Sequence, residues 1–260
     1  MSEAPRADLP WGNLQHDMLT ALAAEPEDIE GVVDQLNQVQ DVLKRIPPLY
    51  DENPIADFNT LYTTITVNIG ERHKGGQFTR PAFLNRLDVE FSRLYVRALR
   101  QWSVGSALTP ESWAVLFRRV TDTDLRSLPC AAAGVNAHIN YDLPFALKAT
   151  WEYLGHSGDG TPQHRDYQLI NEVFEECIPS LRSRYLDGWQ KCIDRINLGF
   201  DDWYENLLVV VTRNRAWERA QRLWDHRADS LWVSTMRLNF DTEAARMGRA
   251  LLSPFCRFIQ

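Results

Sequence analysis

The segment Cys130–Leu147, CAAAGVNAHINYDLPFAL, constrains the chain more than any other stretch. It carries almost no ordinary surface charge, yet Asn136, His138, Asn140 and Asp142 stand among Ala, Val, Ile, Leu and Phe. A segment this apolar belongs inside the protein. Its polar side chains must then find partners, because a buried polar group left unpaired costs roughly 1–3 kcal/mol.

The flanking sequence reads as helices built around that segment. Ile29, Val32, Val33, Leu36, Val39, Val42, Leu43 and Ile46 recur at three- and four-residue steps after Pro26, and Pro47-Pro48 stops them. A second helix is predicted near 57–70, through Phe58, Leu61, Tyr62, Ile65 and Ile69, although its threonines favour strands. Pro81 opens the clearest stripe, from Phe83 and Leu84 to Trp102. Thr109-Pro110-Glu111 is a helix start with a capping hydroxyl. Pro144 predicts a break in the central helix, giving helices near 129–141 and 143–154.

Further on, Thr161-Pro162 opens a helix that Pro179 should end. Residues 180–198 form another, closed by Gly199. Asp201 caps a long helix through Trp224, and Asp241 caps the last. Residues 1–12 read as a flexible N-terminal arm and 13–260 as a single domain. Strands alternating with helices are missing, as are the glycine-rich phosphate loops of nucleotide-binding folds. The expected fold is all-α: one compact domain of eight to ten helices around a buried central helix broken near Asp142–Pro144.

Composition narrows the function. A net charge of −7 disfavours nucleic-acid binding, which needs a basic surface. No apolar run approaches the ~20 residues needed to cross a bilayer, and the start, rich in acids and prolines, resembles no signal peptide. The four cysteines form no CxxC pair. These features predict a cytoplasmic protein with no membrane partner.

His138 and Asp142 are four apart, the spacing at which a carboxylate fixes an imidazole tautomer for acid–base or metal chemistry. Asp142-Leu143-Pro144 is equally a helix start with Asp142 as its N-cap, which leaves His138 as a core histidine. Asn136 and Asn140 form a second polar pair that would position a substrate. In the helix after the glycine-rich loop, His164, Asp166 and Asn171 either lie on a solvated first turn or meet the central helix across the core. Glu71-Arg72-His73 reads as a surface loop. Arg213, Arg215, Arg219 and Arg222 recur on the late helix as solvated ion pairs, or as an anion site facing the core. The nine tryptophans read as core, or as the walls of a cavity for an apolar ligand.

The motif AGVNAHINYDLPFAL, with the Phe91…Tyr95…Ala98 helix, Trp102, Trp113, Phe117 and the Ala216-Trp217 stretch, resembles an actinobacterial family labelled domain of unknown function 5995. The resemblance implies a single compact domain and no particular activity. The Arg-over-Lys bias, with lysine only at Lys44, Lys74, Lys148 and Lys191, agrees with such a source. A more distant likeness is to the all-α zinc phospholipase C and P1-type nuclease families, which place a His-x-x-x-Asp pair on a helix. That likeness implies a metal held by His138, Asp142 and His164. The sequence departs from their pattern at His164-x-x-x-Gln168 and at Phe145–Leu147, where a further His is missing, so a full trinuclear zinc site is not implied.

The reading that follows is a small-molecule enzyme without a redox cofactor, a cyclase, isomerase or hydrolase. His138 is its acid–base group, Asp142 orients it, and Asn136, Asn140, Asn171 and Asp166 bind substrate. The alternatives are a divalent-metal hydrolase using His138, Asp142 and His164, and a non-catalytic binding or scaffold protein.

Overall fold

The computed structural model describes residues 11–158, 162–185 and 209–253, and the regular structure among them is entirely helical. A 3-10 turn at Gly12–Leu14 leads into α1 (Gln15–Ala21) and α2 (Ile29–Leu43). A second 3-10 turn (Tyr50–Glu52) precedes α3 (Pro54–Lys74) and α4 (Pro81–Ser103). Then come α5 (Glu111–Phe117), α6 (Ser127–Ala137), a π turn (His138–Asp142) and α7 (Leu143–Leu154). The chain closes with α8 (Pro162–Tyr185), α9 (Val209–Asp225) and α10 (Ser230–Leu251). No helix among the described residues is long and apolar enough to cross a membrane.

The segment α6–π turn–α7 is the axis. Helices α3 and α10 pack on α6, while α4 and α9 pack on α7. Almost every residue from Cys130 to Leu147 is buried. Helix α3 comes very close to α6 at Gly134: a Cβ there would lie 2.3 Å from the Phe58 ring. The absence of a side chain at Gly134 is what lets Phe58 approach.

Local chemistry explains the helix ends. Asp28 accepts from the Gly31 N–H, and Asn53 accepts from Ile55 and Ala56. The threonines of α3 do not make it a strand. Thr63, Thr64 and Thr66 donate their hydroxyls to carbonyls one turn back, at Asn59, Thr60 and Tyr62. Helix α3 runs longer than 57–70 and takes in Glu71, Arg72 and His73, which therefore form a last helical turn and not a loop. Arg72 there pairs with Glu172 and Glu176 of α8.

Several expectations change. Trp11, assigned to the flexible arm, is buried and packs edge-on against Trp102 at 5.1 Å. Helix α8 continues past Pro179 to Tyr185, although a proline there forfeits one intrahelical bond. Thr109 does not cap α5; its hydroxyl donates to the Ser106 carbonyl. Asp241 does not start a helix either. It lies inside α10, which begins at Ser230 with Asp229 as its cap. The Asp241 carboxylate instead accepts from the Glu111 and Ser112 N–H groups at 2.9 and 2.8 Å, so it caps α5 from another helix. The predicted Gly199 stop and Asp201 cap fall outside the described residues.

The central break takes a specific form. Leu143 N–H donates to His138 C=O, five residues back, and the backbone stays helical through Asp142 and Leu143. The turn is widened, not cut. A π turn of this kind shifts the hydrogen-bond ladder by one residue. Pro144, which cannot donate, leaves the Asn140 carbonyl without its ordinary helical partner. Arg219 of α9 donates to that oxygen at 3.1 Å.

Candidate functional site

The widened turn carries His138 and Asp142, both buried. Asp142 has right-handed helical angles and makes no capping bond, so the N-cap reading fails. Its Oδ2 lies 3.0 Å from His138 Nδ1 and accepts from Trp113 Nε1 at 2.9 Å. The two side chains are thus coupled, and α5 supplies a third member through Trp113.

Aromatic rings enclose the imidazole. Phe91 stacks on it with centroids 3.4 Å apart and planes 7° apart. Tyr62 stands edge-on at 4.6 Å, and Phe58, Tyr95 and Trp113 complete the ring of contacts. Burial lowers the His138 pKa well below its usual value. Burial likewise raises Asp142, against the opposing effect of the Trp113 N–H. Both shifts disfavour an ion pair, because desolvation penalises each charged form. The favoured couple is uncharged: the Asp142 carboxyl donates to Nδ1, and Nε2 carries the remaining proton.

His138 faces a cavity of about 50 Å³ between α3, α4, α8 and the π turn. Its wall is mostly aliphatic and aromatic, with Asp88, Tyr62 and Arg213 as its other polar members. No hydrogen-bond partner among the described residues reaches His138 Nε2 or Asp88 Oδ2. The Tyr62 hydroxyl lies beside Asp88, whose charge raises its pKa, and beside Ser92 and Thr66, whose hydrogen bonds lower it. Tyr62, Asp88 and Ser92 therefore form one polar cluster beside the imidazole. Burial pushes the Asp88 carboxyl up to about 7. Burial, and then the Asp88 charge, also raises Tyr62.

Arg213 of α9 is buried at the cavity edge. Its Nε donates to Asn171 Oδ1 at 2.9 Å and its Nη2 to the Tyr167 carbonyl at 2.9 Å. The guanidinium lies 4.2 Å over the Tyr167 ring. Burial lowers its pKa, and among the described residues only the Tyr167 hydroxyl opposes that shift. Arg219, one helical face away, differs: it pairs with Glu243 and stacks over Phe240.

The other predicted site residues sit elsewhere. Asn136 donates to the Ala244 carbonyl of α10 at 2.8 Å, and Asn140 donates to Asn136 at 3.1 Å. Neither lines the cavity. Asp166 accepts from the Thr79 and Arg80 N–H groups and holds the loop before α4. His164 packs 4.7 Å from the Trp217 ring and faces Gln168. Asn171 reaches the site only through Arg213. His138, Asp142 and His164 do not converge: among the described residues no three His, Cys, Asp or Glu side chains are grouped to hold a metal.

Tyr62, Ser92 and Asp88 were not anticipated as site residues. Asp88 had a legible signal. It lies on the apolar stripe of α4, beside Leu84, Leu87 and Phe91, where a carboxylate has no structural reason to be.

The fold and site define an all-α protein with a buried His–Asp couple mounted on a π turn. The chain belongs to a family of unknown function, DUF5995, whose sequence profile matches residues 29–254. No curated protein and no solved structure is similar to it.

Proposed function

We propose that the chain is an enzyme that exchanges a proton with a small, largely apolar molecule at the His138 cavity. The observation that carries this reading is the pair of polar atoms left unsatisfied among the described residues, His138 Nε2 and Asp88 Oδ2, on residues that line an otherwise largely apolar space. Buried polar atoms are ordinarily paired, and the exceptions mark functional groups or bound molecules.

The couple suits acid catalysis. His138 gives the Nε2 proton to a carbonyl or alkene of the bound molecule and takes the Asp142 proton at Nδ1. The imidazole stays neutral, and the charge ends on an Asp142 carboxylate that Trp113 supports. The reverse steps make it a base. A positioned acid–base group of this kind contributes typically ~10²–10⁴-fold, which fits an isomerase, cyclase or hydrolase without a redox cofactor. Asn136 and Asn140 act on this reading as braces between the central helix and α10, not as substrate ligands.

One observation favours a second, non-catalytic reading. The cavity of about 50 Å³ is smaller than the ~300–1,000 Å³ of ordinary ligand sites. On that reading the polar cluster only specifies the core. Substrate screening of the wild type and His138→Gln, with folding checked by circular dichroism, separates the two. The enzyme reading requires turnover that falls at least 100-fold in the variant. A folded His138→Gln chain with undiminished turnover overturns it.

A further inference from the structure

The polar cluster says where chemistry occurs; Arg213 says what kind of molecule arrives. Its guanidinium is buried, lines the cavity and, among the described residues, has no carboxylate partner. Its two acceptors, Asn171 Oδ1 and the Tyr167 carbonyl, are neutral. Other partly or fully buried arginines in the fold are neutralised: Arg72 by Glu172 and Glu176, Arg86 by Glu90, and Arg219 by Glu243. A buried cation without a counter-charge is unfavourable. A guanidinium carries more N–H donors than two oxygens can take, and its planar fork matches a carboxylate.

We infer that the cavity takes a small monocarboxylate, its anionic head on Arg213 and its apolar body among Ile65, Ile69, Leu84 and Leu87, with its far end toward His138. The inference rests on the reading of this cavity as a ligand site. Most of the lining is apolar, which disfavours a sugar or a polyol. Asp88 lies on the same wall. A doubly charged phosphate would meet that carboxyl and a single guanidinium, so one negative charge fits and two do not. The enclosed volume, about 50 Å³, sets the size at a short chain.

The test is a titration of the full chain with acetate, propionate and butyrate, alongside butyramide, 1-butanol and inorganic phosphate. Calorimetry reads the affinity, and NMR of the His138 ring reports its environment. Butyrate should bind at least ten-fold more tightly than butyramide, and phosphate should not bind. In Arg213→Gln that preference should vanish while butyramide binding persists. If Arg213→Gln does not fold, Ile69→Phe, which fills the cavity, should abolish butyrate binding while the fold is kept.

Equal affinity for butyrate and butyramide, or a preference unchanged in Arg213→Gln, overturns the carboxylate assignment and leaves the His138 site standing. Phosphate binding in place of butyrate overturns it as well. Butyrate binding unchanged in Ile69→Phe shows that the anion lies outside the cavity and also overturns it. Binding by none of the probes overturns both the assignment and the reading of the cavity as a ligand site.

Discussion

Arg219 Nη1 donates to the carbonyl oxygen of Asn140 at 3.1 Å, the oxygen whose ordinary i+4 helical donor is missing because residue 144 is proline. One residue thereby repairs the backbone defect that another creates, across the contact between α9 and the central helix. Arg219 is simultaneously paired with Glu243, so its guanidinium ties three elements together.

That relationship is testable by a double-mutant cycle. Arg219→Met should destabilise the chain by about 1–3 kcal/mol, the cost of an unsatisfied buried carbonyl. In the Pro144→Ala background, where residue 144 regains its N–H, the same change should cost less. Urea denaturation of the four chains measures the coupling. Purely additive costs would show that Arg219 does not compensate for Pro144.

At Gly134 the prediction is steric. Alanine would place its Cβ 2.3 Å from Phe58 Cδ2 and 2.6 Å from Phe58 Cβ. Both α3 and α6 are held by packing on either side, so Gly134→Ala should cost about 1–3 kcal/mol or more. Phe58→Ala in the same chain should recover part of the loss relative to the sum of the single changes. A Gly134→Ala chain as stable as wild type in thermal melts would mean that α3 and α6 separate freely.

Asp88 makes stability depend on pH. Its carboxyl keeps its proton up to about 7 in the folded chain, whereas an unfolded aspartate ionises at about 3.9. The folded state therefore binds this proton more tightly, and its contribution is complete below about 3.9 and lost as pH rises through about 7. Asp88→Asn should gain stability relative to wild type across that window, by up to roughly 4 kcal/mol, and stay level above it. His138 acts in the opposite sense: its lowered pKa removes stability as pH falls below about 6.5. Denaturation midpoints from pH 4 to 9 give the comparison, and parallel curves for wild type and Asp88→Asn contradict it.

The cap supplied by Asp241 predicts a local effect. Asp241→Ala leaves the Glu111 and Ser112 N–H groups without their acceptors and should cost about 1–2 kcal/mol. Asp241→Asn keeps one acceptor oxygen and should cost less. Hydrogen exchange at the α5 amides is the direct readout. Protection unchanged in Asp241→Ala would show that α5 does not need this carboxylate.

Much of this was legible beforehand. The apolar stripes of α2 and α4 and the burial of Cys130–Leu147 follow from periodicity alone, so the all-α fold did too. The His138–Asp142 spacing also pointed to the couple. What the sequence left open was which of two local rules wins at Asp142. Asp-x-Pro satisfies the rule for a helix start, but the π turn keeps the backbone helical, and Trp113 from a distant segment takes the carboxylate. Asp241 fails for the same kind of reason. It is a capping residue, but the helix it caps lies 130 positions away, and no local pattern carries such information. That α10 offers the Ala244 carbonyl to Asn136, which in turn accepts from Asn140, is likewise visible only in the tertiary structure.

The reach of Asp241 also bears on how the chain matures. Helix α5 spans seven residues, too short to persist alone, since isolated helices below ~12–15 residues are marginal in water. It acquires its N-terminal acceptor from Asp241 of α10, 130 residues beyond Glu111. Trp113, which steadies Asp142, rides on that helix. A ribosome must therefore release the chain as far as α10 before the imidazole and carboxylate settle into their final environment. Until then the His138–Asp142 pair lacks the Trp113 donor, whatever the earlier helices have already formed.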